Sequence, residues 1–486
     1  MNYSTLFQAV GVLGLMSTLL AGPVMANDDH FFDDDHHSRD FGLKRDHLLN
    51  AHSRQLFGIR GPLQGNSTQS VDQATAEAHP LSMVTLAHGL HARVVASSAD
   101  LGANIDMMTL WPPQNPTHLI VCNEQGTGQP GVQRVRLADG QVETILTGTS
   151  SCDPMHTTPW GTVVFGEEAG NSGTLLEMID PLNTTGVTYD RNVGTFSGTD
   201  AGNVTERPAI GHLSFEGVVI YPNGVLYYGD ENRPSQGTPG GAYFKFVPTT
   251  AWNGGAPITN LDDSPLASGK VYGLRLGTRS GNTDYGQGSN TGRGIWVEVV
   301  NANDVDLRAA AATLKLTGYY RPEDANADLK ALAEGHVRFC ANNTGNEENN
   351  RNWGETICVT DGTLSDAIAN AAIPEVQFFN IGSKDIGMAD NIAYQPGRGN
   401  WILQTDRDAV GMTGEDYPFN NSIWMCLEDG ADVDTLTDGC IRIVNLNDLN
   451  AESTGGFFDA NGTHYYFSVQ HNVTGHGTIL DVTGWR

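Results

Sequence analysis

A repeated unit of two short strands is the feature that most constrains the fold of this chain. In each copy a carboxylate precedes a β-rich run, a turn containing Pro or Gly follows, and the next run ends at another carboxylate. The copies, whose ends lie 14 to 16 residues apart, are Asp153–Glu167, Glu216–Glu231 and Asp390–Asp406. A degenerate copy runs from Phe458 to Gln470 and His471. Units of this kind predict antiparallel hairpins.

Similar β-rich runs of four to eight residues, separated by turn clusters, fill the chain from Pro80 to the C-terminus. The 58 glycines among 486 residues fit many short strands joined by turns better than packed helices. Only Asp304–Lys315 has a clear helical pattern. The sequence therefore predicts an all-β fold, a β-propeller, with a short helical insertion around residues 304–315.

The repeated carboxylates are expected to converge. Two strands of about six residues with a short turn return to one edge, so both acids of a unit lie at the same end. In a propeller, equivalent edges of successive blades meet at the mouth of a central channel. Like charges at such short range raise one another's pKa or are neutralised by a hard cation with oxygen ligands. The alternative is that each acid caps an exposed turn independently.

The N-terminal region predicts export. Leu6–Ala26 is apolar and ends in small residues, which is typical of a signal peptide at residues 1–26, although no Lys or Arg precedes it. Residues 27–79, rich in Asp and His at their start, are predicted to be a flexible arm and linker, and residues 80–486 the propeller domain. The arm could hold a transition metal weakly or be merely solvated. No other stretch is apolar enough to span a membrane.

Six cysteines fall into three pairs of neighbours in sequence, and none has zinc-site spacing. Together with the export signal, this predicts the disulfides Cys122–Cys152, Cys340–Cys358 and Cys426–Cys440. Sequence alone allows fifteen pairings, and buried free thiols are the alternative.

The formal net charge of -29 argues against nucleic acid and anionic lipid as partners, because both require basic patches. Divalent cations are the natural partners of such a surface. The alternative is that the acidity only keeps an exported protein soluble. The sequence does not predict an oligomeric state.

At the residues of the repeated carboxylate units, the chain resembles the PhoX-type alkaline phosphatases, a family of exported, calcium-dependent propeller enzymes. The resemblance extends from about Pro80 to the C-terminus. Its pieces, in family order, are Asn123-Glu124, GTVVFGEE, Phe215-Glu216-Gly217 with YYGDENR downstream, Tyr320-Arg321-Pro322-Glu323-Asp324, Ala389-Asp390-Asn391-Ile392-Ala393 and Val469-Gln470-His471. The resemblance implies a six-bladed propeller that hydrolyses phosphate monoesters at a centre of iron and calcium.

By matching position, the resemblance implies the metal ligands Glu124, Glu167, Glu216, Glu231, Glu323, Asp390 and Asp406. Arg321 would bind the phosphate with its planar fork, or else form a salt bridge with Glu323 or Asp324. His471 could donate a proton to the leaving group, or be a structural histidine. The implied catalytic residues are Arg321, Glu323 and His471.

One residue departs from the family pattern. Where the family carries an iron-binding cysteine, this chain has Gly166. A twin-arginine export signal is also missing. Both departures argue against iron and favour several calcium ions, or magnesium or manganese, on carboxylates alone.

Three functions remain open. The first is an exported metal-dependent phosphatase acting on phosphate esters or another small-molecule substrate. The second is a non-catalytic calcium-binding scaffold or surface protein, which Gly166 favours. The third is a calcium-dependent propeller lactonase or esterase, because a cation in a propeller mouth can also polarise an ester carbonyl.

Overall fold

The computed structural model describes residues 45–233, 240–277, 291–345, 353–406, 419–430 and 434–486. Asp46–Arg486 form one compact unit. The predicted signal peptide and residues 27–44 of the predicted arm lie outside the described residues. Within the described ranges, no helix has the length and apolarity needed to cross a membrane.

The described residues fold mainly into β-strands, which we number in chain order. Strands β1 to β9 are Val84–Leu86, His91–Ser97, Ile105–Trp111, His118–Asn123, Pro130–Arg136, Val142–Thr147, Cys152–Thr157, Val163–Glu167 and Leu175–Met178. Strands β10 to β18 are Val187–Asp190, Thr195–Gly198, Val204–Glu206, Phe215–Ile220, Leu226–Asp230, Tyr243–Pro248, Gly269–Leu276, Gly292–Val299 and Pro322–Ala327. Strands β19 to β28 are His336–Asn343, Glu355–Thr363, Glu375–Ile381, Ala389–Tyr394, Trp401–Thr405, Ser422–Cys426, Cys440–Leu446, Glu452–Phe458, Tyr465–Gln470 and Thr478–Thr483.

The strands form five sheets in a β-propeller arrangement. Their orders are β2-β28-β27-β26, β11-β10-β6-β5-β4-β3, β12-β9-β8-β7, β13-β14-β15-β16-β17-β21-β20-β19-β18 and β1-β25-β24-β23-β22. The inner strands contact one another in the closed sequence β3, β7, β13, β18, β22, β26 and back to β3. Strand β2, near the start of the described chain, pairs with the final strand β28. Both ends of the domain therefore share one sheet, which closes the ring.

Burial on both faces explains the apolar runs in the sequence. Strand β14 is buried throughout. Its alternate residues point to opposite faces, so Leu226 and Tyr228 pack into one apolar cluster and Tyr227 into another. The aromatic ring of Tyr227 lies 4.9 Å from that of Phe339, which belongs to strand β19. A strand packed between two sheets cannot show the polar and apolar alternation of an exposed sheet.

Helices are few and short. Residues 45–51 are helical, and the other α-helices are Ser53–Leu56, Gln73–Ala78, Leu307–Leu314, Leu329–Ala333 and Leu364–Ala369. The 3₁₀ helices are Pro80–Met83, Gly170–Ser172, Ala201–Asn203, Pro208–Ile210, Leu261–Asp263 and Pro265–Ala267. The helix predicted around residues 304–315 is present as Leu307–Leu314. Asp306 caps its N-terminus by accepting from the Ala309 N–H, and Lys315 ends it in the left-handed conformation.

The structure differs from the prediction in residues 45–79, which were expected to belong to a flexible arm. Besides the helices listed above, this stretch hydrogen-bonds to the sheet of strand β25, where the Leu63 and Val71 amides donate to the carbonyls of Arg442 and Asn447. Phe57 is fully buried in the apolar core beside that sheet. Tertiary contacts therefore order a segment whose sequence lacks a regular apolar period.

All three predicted disulfides are present, and all six cysteines lie in the described residues and are paired. Cys122–Cys152 joins strands β4 and β7, which belong to different sheets. Cys340–Cys358 and Cys426–Cys440 each join two neighbouring strands of one sheet.

Candidate metal centre

The inner strands share an irregularity near their beginnings. In β3, β7, β13, β18 and β22, two residues oppose a single residue of the next strand just after the first strand residue. Such β-bulges redirect side chains and are common beside active sites. In each case the first bulged residue is a carboxylate, and these residues are Asp106, Asp153, Glu216, Glu323 and Asp390. Strand β26 has its bulge at Gly455 and Gly456, and begins with Glu452.

A second set of side chains follows the ends of the neighbouring strands. The residues directly after β4, β8, β14 and β23 are Glu124, Glu168, Glu231 and Asp406. The corresponding residues after β19 and β27 are Thr344 and His471. Because each hairpin brings its two ends to one edge, both sets lie at the same end of the inner strands. We call them together the carboxylate ring.

Three groups of carboxylates within the ring are close enough to share cations. In each group, one oxygen from every member lies within 4.8 Å of the others. The groups are Asp153 with Glu168 and Glu216, Glu216 with Glu323 and Asp390, and Asp390 with Asp406 and Glu452. Glu216 and Asp390 each belong to two groups, so the three groups form a continuous row.

Some carboxylates in the ring are near enough to hydrogen-bond to each other. These pairs are Glu124 with Glu168, Glu168 with Glu231, Asp153 with Glu216 and Asp406 with Glu452. Two carboxylates this close cannot both be ionised unless a cation neutralises them; otherwise they share a proton. The ring therefore favours cation binding at neutral pH.

The burial and crowding of the ring carboxylates also shift their pKa values. Burial, followed by repulsion from neighbouring carboxylates, raises the pKa of Asp106, Asp153 and Glu216 well above the ordinary range. Burial also raises the pKa of Glu124 to about 7, and that of Glu323 to about 8 although Arg321 opposes the rise. A divalent cation would reverse these shifts by stabilising the ionised form.

Two buried oxygens favour cation binding more directly. Oδ1 of Asp153 and Oε2 of Glu323 have no hydrogen-bond partner in the described part of the chain, and each residue is only 1% exposed. An unpaired buried polar atom is costly, and native proteins rarely keep one without a reason.

Arg321 brings a positively charged guanidinium to this ring. Its Nε donates to Oε1 of Glu231 at 2.5 Å, and its Nη2 lies 3.1 Å from Oε1 of Glu323. Burial alone would raise the pKa of Glu231, but the guanidinium of Arg321 lowers it below its usual value. The backbone of Arg321 has φ = 52°, a conformation that is uncommon outside glycine and clusters at functional sites.

His471 lies at the edge of the ring with its side chain about half exposed. Its Nε2 is 3.4 Å from Oε1 of Glu452. Burial lowers the pKa of His471, although the charge of Asp406 acts against this shift.

The structure brings together all but one of the residues implied as ligands or catalytic groups. Members of the ring are Glu124, Glu216, Glu231, Glu323, Asp390, Asp406 and His471, and Arg321 contacts Glu231 and Glu323 of the ring. Glu167 does not. Its carboxylate is buried and accepts from Nε and Nη2 of Arg191 at 3.0 and 3.1 Å and from the Ser150 amide at 2.8 Å. The next residue, Glu168, takes the place in the ring.

Sequence reasoning missed Asp106, Asp153, Glu168, Thr344 and Glu452 as site residues. Asp153 begins one copy of the repeated unit, and the 15-residue distance from Glu216 to Glu231 points to Glu168, one residue beyond the end of that copy, as the equivalent position. No comparable signal marked Glu452, because its strand carries two extra residues before the bulge.

Gly166 is tightly enclosed. A Cβ atom at this position would lie 2.8 Å from Cδ2 of Leu175 and 2.9 Å from Cγ of Pro154. Any larger side chain would therefore require its neighbours to move. Since all six cysteines are in disulfides, the described ring offers oxygen ligands and no thiolate.

Comparisons with known proteins identify the family and the fold. The family model for alkaline phosphatase PhoX matches residues 127–472. PhoX from Pseudomonas fluorescens, solved with vanadate as a transition state analogue, is similar with a TM-score of 0.59 and 15% identity, covering 86% of this chain and 97% of that chain. This likeness supports the β-propeller arrangement.

Two further structures are less similar. The gluconolactonase XC5397 from Xanthomonas campestris has a TM-score of 0.41 at 12% identity, covering 87% of this chain and 96% of that chain. An auxiliary nutrient binding protein from Bacteroides thetaiotaomicron has a TM-score of 0.44 at 9% identity, covering 82% and 77%. No curated protein matches the sequence significantly.

Proposed function

Because this chain belongs to the alkaline phosphatase PhoX family, we propose that it is an exported, metal-dependent phosphatase that hydrolyses phosphate esters at the carboxylate ring. The observation that carries the proposal is the position of Arg321 among buried carboxylates whose oxygens lie within 4.8 Å of one another in groups of three. A guanidinium can bind phosphate oxygens and divalent cations can polarise a phosphoryl oxygen; Arg321 supplies the first and the ring supplies ligands for the second.

The donor set fits hard divalent cations. The three groups of carboxylates would hold them, and the unpartnered oxygens of Asp153 and Glu323 are natural ligand atoms. Oxygen ligands suit calcium, magnesium or manganese, whereas the absence of a thiolate at Gly166 disfavours iron of the sulfur-bound kind. When bound, such cations would polarise a phosphoryl oxygen and neutralise the charge that develops during hydrolysis.

The chain's own residues have separate tasks in this proposal. Arg321 binds two phosphate oxygens with its planar fork, and Glu231 and Glu323 hold the guanidinium in place. Oε2 of Glu323, which has no hydrogen-bond partner among the described residues, serves as a cation ligand. His471, at the half-exposed edge, forms a hydrogen bond with the leaving-group oxygen and can pass it a proton.

We include two structural features in the proposal. Counting the nine-stranded sheet as two blades, β13 to β17 and β18 to β21, gives six blades. The link between these halves is a ladder of only two residue pairs, Gly292 with Val376 and Arg293 with Glu375, which supports the division. Export is supported by the apolar segment Leu6–Ala26 and by the three disulfides, which persist in oxidising compartments.

A matched pair of variants tests the proposal. Glu167 and Glu168 are adjacent, but only Glu168 belongs to the ring. With p-nitrophenyl phosphate and calcium, magnesium or manganese, we expect turnover by the wild type and by Glu167→Gln, and loss of at least about 10-fold in Glu168→Gln. If the two variants are equally active, the carboxylate ring does not take part in hydrolysis.

A non-catalytic calcium-binding protein is the second candidate, and Gly166 is the observation that favours it. A Cβ at Gly166 would lie 2.8 Å from Cδ2 of Leu175 and 2.9 Å from Cγ of Pro154, so a cysteine here would require these side chains to move. This candidate predicts that calcium raises the melting temperature, since a ligand of the native state stabilises it, while no phosphate ester is turned over under any divalent ion.

A further inference from the structure

The helix Leu307–Leu314 has no task in the reaction as described so far, although it is seated beside the carboxylate ring. Leu307 is fully buried and Ala311 is 3% exposed, and both belong to the apolar cluster into which one face of strand β14 packs. At the start of the helix, Oδ2 of Asp306 accepts from Nδ2 of Asn171 at 2.8 Å. Apolar packing and this hydrogen bond therefore hold the helix at a defined place on the propeller.

Arg308, in the first turn of this helix, holds the residue that precedes Glu231. Its Nε lies 2.9 Å from Oδ2 of Asp230 and its Nη2 lies 2.8 Å from Oδ1, which is the geometry of a bidentate ion pair. Asp230 is 2% exposed, and burial raises its pKa although the charge of Arg308 acts against this shift. Because a buried carboxylate is costly without its partner, the ion pair fixes the end of strand β14.

The same guanidinium reaches the backbone of Glu231. Nη2 of Arg308 donates to the Glu231 carbonyl at 3.1 Å and lies 3.2 Å from Oγ of Ser214. The Glu231 amide donates to the Ser214 carbonyl at 3.0 Å, and the Gly170 amide donates to Oγ of Ser214 at 2.9 Å. Both backbone polar groups of Glu231 therefore have partners, and Arg308 supplies one of them directly.

We propose that Arg308 is a positioning residue for the phosphate-binding guanidinium of Arg321, a role that rests on the proposed phosphatase function. Arg308 fixes the backbone of Glu231 through the contacts above. Oε1 of Glu231 then accepts from Nε of Arg321 at 2.5 Å, which sets the direction of that side chain. A shift of about 1 Å in a group that positions the substrate can cost about 100-fold in rate, so this connection matters for hydrolysis.

The alternative is that Arg308 only fastens the helix to the propeller, and Arg275 separates the two roles. Arg275 is also partly buried, and its Nη1 donates to the Leu314 carbonyl at 3.2 Å, at the other end of the same helix. Within the described ranges, its side chain forms no hydrogen bond with Asp230 or Glu231. Arg275→Gln is therefore the matched control for Arg308→Gln.

The first experiment reports the position of Arg321 without any substrate. In protein labelled with nitrogen-15 at arginine, the Nε–H signal of Arg321 is the one that disappears in Arg321→Lys. We expect Arg308→Gln to shift or broaden this signal and Arg275→Gln to leave it unchanged, at a temperature where circular dichroism shows both variants folded. An unchanged signal in folded Arg308→Gln would overturn the proposal.

A second variant keeps the experiment decisive if Arg308→Gln does not fold. Arg308→Lys retains a positive charge beside Asp230 but lacks the planar fork, so it cannot hold Asp230 and the Glu231 carbonyl together. The Arg321 signal should shift or broaden in this variant as well. A wild-type signal in folded Arg308→Lys would then overturn the proposal.

Phosphate affinity gives the second readout. Titration calorimetry with inorganic phosphate, on calcium-loaded protein freed of excess calcium, should show a loss of about 10-fold or more in Arg308→Gln and less than about 2-fold in Arg275→Gln. When Arg321→Lys is already present, Arg308→Gln should cause little further loss, because residues that act through one another are not additive. An equal loss with and without Arg321→Lys would overturn the proposal.

The two readouts also separate this role from the phosphatase function. A wild type that neither binds phosphate nor hydrolyses p-nitrophenyl phosphate would refute the proposed function, and the Arg321 signal would still show whether Arg308 positions that side chain. An active wild type, together with Arg308→Gln and Arg275→Gln variants that have the same Arg321 signal and the same phosphate affinity, would refute the role of Arg308 alone.

Discussion

The Thr344 hydroxyl donates a hydrogen bond to Oε1 of Glu323. The guanidinium of Arg321 contacts the same oxygen, whereas Oε2 of Glu323 is buried without a partner. Thr344 is fully buried and occupies the position where other hairpins place a carboxylate. It therefore fixes one oxygen of Glu323 and leaves the other for a cation.

Thr344→Val should weaken the site without exposing it. Loss of a group that orients a metal ligand commonly costs about 10- to 100-fold in metal affinity or activity. We expect an increase of that size in the calcium concentration needed for half-maximal activity, and Thr344→Ser should restore most of the affinity because it keeps the hydroxyl. Calcium titration of p-nitrophenyl phosphate hydrolysis measures this. If the Val and Ser variants need the same calcium concentration, the Thr344 hydroxyl does not orient Glu323 as a metal ligand.

Arg321→Lys should impair phosphate binding although the charge is kept. Lysine lacks the planar fork, and a hydrogen bond to a charged group contributes about 1.5–3 kcal/mol. We expect kcat/KM to fall by about 10- to 100-fold. Inorganic phosphate, measured as a competitive inhibitor, should bind correspondingly more weakly. A variant with normal phosphate inhibition would instead favour the reading of Arg321 as a structural salt bridge to Glu231 and Glu323.

Stability of the protein without divalent cations should decrease as the pH rises. Folding raises the pKa of Glu124 and Glu323 from 4.5 to about 7 and about 8. The folded state then holds more protons than the unfolded state between these limits, so the free energy of unfolding falls from about pH 4.5 to about pH 8. Cations that favour the ionised carboxylates should abolish this dependence.

Thermal unfolding with EDTA and with calcium, at several pH values from 5 to about 8, measures that dependence. The melting temperature should fall with pH only in EDTA. A melting temperature in EDTA that rises over this range would contradict the proposed electrostatics of the ring.

Glu177 should be important for stability and unimportant for metal binding. This fully buried carboxylate accepts from Trp160, Thr162, Arg207 and Ser264, at distances of 2.5 to 2.7 Å. Glu177→Ala would leave the buried Arg207 guanidinium without its ion pair, which costs about 3–5 kcal/mol of unfolding free energy. Urea denaturation measures the loss.

The control for Glu177 is Glu298→Ala, which removes an exposed partner of Lys270. We expect no measurable change in its urea midpoint, because exposed ion pairs contribute little. A similar loss in both variants would mean that burial does not decide the effect.

Much of the fold was predictable because the sequence repeats a physical unit. A carboxylate, a strand, a turn, a second strand and a second carboxylate in this order predict a β-hairpin. Successive hairpins of this kind predicted a propeller with the acids at one end. The pairing of neighbouring cysteines was confirmed: two of the pairs join neighbouring strands of one sheet, and Cys122–Cys152 joins strands of two sheets. The helix near Asp306 followed from the helical pattern of residues 304–315.

The site was less predictable, because a shift of one residue along a strand changes which side chain enters the ring. Side chains alternate along a strand, so an error of one residue exchanges the two faces. Glu167 and Glu168 illustrate this, as only the second enters the ring. Asp106 and Glu452 depend on where a bulge falls in each strand, and local sequence does not mark bulges reliably. Residues 45–79 are ordered by contacts with distant strands, which no local pattern reveals.

Removal and return of divalent cations test the central proposal most directly. Hydrolysis of p-nitrophenyl phosphate should disappear when the purified protein is treated with EDTA and dialysed, and should return when calcium is added. Turnover that survives complete removal of metal would contradict a metal-dependent phosphatase, and so would the absence of turnover with calcium, magnesium and manganese alike.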